Sequence, residues 1–175
     1  MSKLGLGRLY DLSAALVPVD LATAGATGTR VSLQNYGGVD IVLFYAAGTD
    51  GDDPVPSLQQ HTAYTGGTTA SLATMDTIYR KAETTLDGDE AWVKTTQTAA
   101  AIMTAVADDA QKQKIYVIPV EAEDLDDGYT HISVNQADLS NNAQLCGILY
   151  LLRDLKVQRT PANMPNPLRP GAANA

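Results

Sequence analysis

The sequence holds one cysteine, Cys146, so no disulfide can form within the chain and a cysteine-based zinc site is excluded. Cys146 sits in the apolar run "QLCGILYLL", where a thiolate would be desolvated, so a buried inert thiol is the expected state. There is one tryptophan and one phenylalanine. That is a thin supply of rings for stacking on sugars, and Trp92 reads as a core or interface anchor. No stretch approaches the roughly 18 apolar residues of a membrane-spanning helix. The opening "MSKLGLGRLYDLSAALVPVD" lacks the plan of a signal peptide, because Asp11 and Asp20 interrupt it, so intracellular synthesis is expected. Charged residues are scarce at 18%, and no cluster of Lys and Arg offsets a net charge of −8. An acidic chain repels phosphate backbones, which argues against a nucleic-acid partner.

Catalytic motifs are also missing. There is no Gly-x-Ser-x-Gly elbow, no Walker loop and no Gly-x-Gly-x-x-Gly, and the two histidines, His61 and His131, stand far apart in sequence. The densest acidic stretch is "AAGTDGDDPVP", Ala46 to Pro56. Counted from Asp50 as a calcium loop, its twelfth position is His61 where a bidentate glutamate belongs. Gly51 and Pro54 mark it instead as a turn. The other acidic groups (Asp87/Asp89/Glu90, Asp108/Asp109 and the run Glu121 to Asp127) also sit beside turn residues. No catalytic residue, metal ligand or cofactor site is expected.

What the chain does hold is 45% hydrophobic residues, arranged mostly with a period of two. In "VDIVLFYA", Val39, Ile41, Leu43 and Tyr45 fall on one face. Val42 and Phe44 fall on the other, which predicts a strand covered on both sides. "TRVSLQNY", "KIYVIPVEAE" and "GYTHISVNQ" read as further strands, and "MDTIYRKAE" and "EAWVKTTQ" as a pair around the turn "LDGD". "AQLCGILYLLRDL" suits either strand or helix, with Gly147 and the Asn-rich turn before it favouring strand. The Ala-rich segment "TAAAIMTAVADDAQKQK" is the helical candidate, giving one or two short helices. Tyr129, after "LDDG", has the spacing of a tyrosine corner, which would return its hydroxyl to the backbone near Leu125. A partly exposed strand tyrosine fits equally.

The expected fold is mainly β, an antiparallel β-sandwich of seven or eight strands, jelly-roll-like or Ig-like, with one or two short helices. Residues 1–28, broken by Pro18, are expected as an N-terminal arm or short strands, 29–158 as the sandwich domain and 159–175 as an extended tail with four prolines.

The stretches "LQNYGGVDIVLFYAAGTDGDDPV" and "IPVEAEDLDDGYTHISVNQADLSNNAQLCGILYLL" together resemble small virion proteins of tailed bacteriophages, of the kind encoded near the major capsid protein. The resemblance spans Val31 to Leu152. It implies a structural role in the phage head: a decoration, or cement, protein on the outer face of the capsid lattice, with the major capsid protein and further copies of itself (a trimer or dimer) as partners. No nucleic-acid or membrane partner is implied. A head–tail connector or tail component is the alternative. A calcium-dependent carbohydrate-binding sandwich is a further one, and a hydrolase is the weakest. The arms are the expected contact segments, because a proline-rich stretch has no core of its own but loses little entropy on docking along a neighbour. The partner-binding positions expected there are Pro161, Met164, Pro165, Leu168 and Arg169 in the tail, and Leu4, Leu6 and Tyr10 in the N-terminal arm.

Overall fold

The computed structural model describes residues 5–107, 109–139 and 142–157. Eleven strands follow in order: β1 Tyr10–Asp20, β2 Ala26–Thr27, β3 Val31–Ser32, β4 Gly38–Tyr45, β5 Pro56–His61, β6 Thr69–Ser71, β7 Met75–Glu83, β8 Val93–Ala100, β9 Gln113–Glu121, β10 His131–Gln136 and β11 Leu145–Arg153. They form two antiparallel sheets in a sandwich-like arrangement. The larger has the order β1-β11-β4-β9-β7-β8, and the smaller β2-β10-β5-β6 with β3 also on β10.

The period-two pattern builds the core as expected. Val39, Ile41, Leu43 and Tyr45 of β4 are fully buried, and so are Ile118 and Val120 of β9 and Ile148, Tyr150 and Leu152 of β11. Facing them from the smaller sheet are Leu58, Ile132 and Val134. The Tyr150 hydroxyl donates to the Thr29 carbonyl (3.0 Å) and accepts from the Val134 N–H (3.1 Å), which ties the two sheets together in the interior.

Three expectations need correcting. The described residues of the segment 98–114 are not helical. Ala99 and Ala100 close β8, and the following residues zip onto β5: Leu58 N–H donates to the Ala101 carbonyl, Met103 N–H to the Pro56 carbonyl, and Met103 is buried. The small helix preference of alanine is outweighed by these hydrogen bonds and by the burial of Met103. Among the described residues the helical content is one 3₁₀ turn, Ala122–Asp124. The N-terminal arm is also shorter than residues 1–28. Tyr10–Asp20 pairs with β11 almost along its whole length, and β2 pairs with β10. Pro18 is tolerated because β1 is an edge strand and the register slips between Leu16 and Val19, so the missing N–H interrupts no central ladder. The third concerns β4. Its second face is uncovered, and Phe44 is 53% exposed.

At Tyr129 the backbone N–H closes a turn onto the Asp126 carbonyl (3.0 Å), with Gly128 at φ 86° supplying the left-handed step. Its hydroxyl has no hydrogen bond among the described residues, so the tyrosine-corner bond is absent.

Candidate interaction surface

Alternation places every second residue of the larger sheet on its outer face. The apolar ones are Leu12 and Ala14 from β1, Leu149 and Leu151 from β11, Val42 and Phe44 from β4, Ile115, Val117 and Pro119 from β9, and Tyr79 from β7; Asp40, Lys81 and Arg153 share the face. The register brings them side by side: Leu12 opposite Leu151, Ala14 opposite Leu149, Leu149 opposite Val42, Val42 opposite Val117, and Val117 opposite Tyr79. The result is an apolar band across five strands, with Leu12, Phe44, Leu149 and Tyr79 all strongly exposed. At about 4.8 Å between strands, the five strands of the band span about 20 Å.

The face has relief. Gly147 lies directly opposite Phe44, and with no side chain there a depression of about 230 Å³ opens between Leu16, Pro18, Val42, Phe44 and Leu149. The slipped register of β1 supplies its outer wall.

Charge enters this face at Asp40, between Leu151 and Pro119, and at Lys81, opposite Ile115. At one end Arg153 Nε meets Asp40 (3.2 Å), Nη2 meets Glu121 (2.5 Å) and Nη1 meets Asp154 (2.9 Å). The hydrogen bonds to Glu121 raise the guanidinium pKa further, although burial opposes them. Three carboxylates around one cation leave this rim negative. At the far corner Lys81 lies 5.3 Å from the Trp92 ring and 3.9 Å from Glu90. Trp92 is therefore no core residue. It is an exposed ring under a cation.

Tyr10 begins β1 on this same face, opposite Arg153, and Leu6 forms a parallel bridge with it. Leu4, Pro161, Met164, Pro165, Leu168 and Arg169 lie outside the described residues. The outward apolar residues were missed as a surface by sequence reasoning. Their signal was there, in strands apolar on both faces, but it was read as a strand covered on both sides.

The ionisable groups of the interior serve packing. Asp109 is the buried centre of one network: Arg80 Nη1 approaches its Oδ2 at 2.5 Å, the Tyr116 hydroxyl donates to the same oxygen (3.2 Å), and Lys112 reaches Oδ1 at 3.3 Å. Lys114 is fully buried and donates to the Asp109 carbonyl; burial lowers its pKa to about 8, against the pull of Asp109 and Asp53. The acidic stretch Asp50–Asp53 is a turn with Gly51 at φ 84°, and Asp52 accepts from the Asn142 side chain.

One pair has the shape of a catalytic unit. His61 Nε2 lies 2.8 Å from Ser133 Oγ. Neighbouring strands bring it there, since His61 of β5 is opposite His131 of β10. But His61 is 2% and Ser133 1% exposed, and His61 Nδ1 faces the Thr69 hydroxyl (2.9 Å) in place of a carboxylate. A substrate could not reach the hydroxyl, and nothing would stabilise an imidazolium. Burial, Arg30 and His131 together lower the His61 pKa to about 4. The thiol of Cys146 is pushed up to about 12 by burial.

The exposed trio Asp87, Asp89 and Glu90 brings carboxylate oxygens within 4.8 Å of one another, but Glu90 Oε1 already accepts from the N–H groups of Asp87 and Gly88. It is a closed turn. Among the described residues, the outer apolar face is the feature that folding leaves without an internal explanation. No protein-family model, no curated protein and no solved structure matches the chain.

Proposed function

We propose that this protein is a non-enzymatic structural component of a tailed-bacteriophage head, a decoration protein that seats on the outer face of the capsid lattice and stabilises the shell. The observation that carries the reading is the uncovered apolar band on the outer face of the larger sheet, with Leu12, Phe44, Leu149 and Tyr79 exposed across neighbouring strands. The resemblance of Val31 to Leu152 to small virion proteins supplies the setting. Stabilisation needs no reaction. A protein that binds the mature lattice and not its precursor favours the mature state by mass action.

The test is the virion itself. Quantitative mass spectrometry and cryo-EM of purified particles should find this chain on the head, in a copy number comparable with that of the major capsid protein. Density confined to the neck or tail, with only a single ring's worth of copies, would replace the reading with a connector or tail component. Absence from the particle would end both.

A further inference from the structure

We propose that the outer face of the larger sheet is a docking groove whose occupant in the free protein is the chain's own C-terminal segment, residues 158–175, laid over β11 and β4. Reach, charge and backbone chemistry converge on it.

Reach comes first. The described chain ends at Val157, next to Lys156, whose N–H donates to the Asn35 carbonyl at the Arg153 end of the sandwich. The depression at Gly147 lies six residues along β11 from Arg153, about 20 Å at strand spacing, and the crossing from the interior to the outer face adds about 10 Å at most. Met164 and Leu168 stand seven and eleven residues beyond Val157, about 22 and 34 Å at the roughly 3.1 Å per residue of a proline-rich chain. Leu168, and not Met164, therefore has the length of chain needed to reach the depression.

Charge agrees. Residues 158–175 contain Arg159 and Arg169 and no acidic residue, whereas the whole chain carries −8. Arg159 stands two residues past Val157 in sequence, so a segment docked on this face would bring its charge toward the negative rim of Asp40, Glu121 and Asp154. Two whole copies brought face to face would instead add like net charges.

Backbone chemistry selects the mode. Pro161, Pro165, Pro167 and Pro170 have no N–H and cannot extend a ladder at a sheet edge. An extended proline-rich chain lies on an apolar surface beside an aromatic ring. Phe44 with the Gly147 hollow offers that ring and a seat for Leu168.

The experiment is paramagnetic NMR on the full 175-residue chain. A nitroxide is attached through the M164C variant, Cys146 being buried and slow to react. A second sample labelled through N166C covers the case in which Met164 is itself required. The amides of Val42, Phe44, Gly147 and Leu149 should lose more than half their intensity. They should recover when an isotope-labelled chain without nitroxide is mixed with unlabelled spin-bearing chain. L149K, or F44A should the first variant fail to fold, should abolish the broadening while core shifts stay in place, and R159E should weaken it. No broadening on this face from either label overturns the proposal. Broadening seen only in the mixed sample also overturns it, assigning the groove to another copy's segment. The measurement uses isolated protein, so it can fail while the particle reading stands, and the reverse.

Discussion

At the residue scale the fold depends on a few buried polar groups that the sequence does not advertise. Tyr150 joins the sheets through two backbone groups. Y150F should leave the Val134 N–H without its acceptor and cost about 1–3 kcal/mol in urea unfolding, more than losing a hydroxyl at the surface. Ile41→Ala, in the fully buried row of β4, should cost about 2–5 kcal/mol, while Phe44→Ala on the opposite face of the same strand should stay within about 1 kcal/mol. Cys146 should resist iodoacetamide at pH 7 until denaturant is added, because burial holds its pKa near 12.

The histidines give a pH dependence of definite sign. His61 is held neutral in the folded state, its pKa lowered from 6.5 to about 4, chiefly by burial, with Arg30 and His131 beside it. His131 is lowered too, by burial and by Arg30. Protonation therefore favours the unfolded chain. Their contribution is fully present above pH 6.5 and is lost as the pH falls through the folded values. Melting temperature should drop between pH 6.5 and pH 4, and the drop should shrink in H61Q. A melting temperature unchanged down to pH 4 would contradict the assignment.

At the scale of elements, β1 is the informative strand. Its residues look like an arm because Pro18 breaks the run and Asp11 and Asp20 flank it. Only the partner shows otherwise: β11 offers an apolar edge, and Ala15 and Leu21 insert into the core. Deleting residues 1–25 should therefore abolish cooperative unfolding in circular dichroism, as expected for loss of a strand and two core side chains. A true arm would leave the transition unchanged. The helical expectation at 98–114 failed for a related reason. Alanine's preference is a few tenths of a kcal/mol per residue, and a segment hydrogen-bonded to β5 with Met103 buried outweighs it. The long strands were legible because their alternation is strong; β2, β3 and β6 have two or three residues each and exist only where a neighbour pairs with them.

At the scale of the whole molecule, the sandwich is apolar inside and also carries an exposed apolar band across one outer face. If that face binds the head lattice, F44K and L149K should each remove the protein from virions in a pull-down with purified heads while leaving the isolated fold intact. Retention of both variants on heads would separate the face from that role.

The sequence by itself determined the strands of the core and the absence of a catalytic motif, because a period of two and the spacing of reactive residues are local properties. Tertiary structure alone decided which apolar side chains meet water. In β4 both faces read as buried, since an apolar residue looks the same whether another layer covers it or not. It also decided that distant residues such as His61 and Ser133, or Arg80 and Asp109, would meet in the interior, because strand register, not sequence distance, sets which side chains become neighbours.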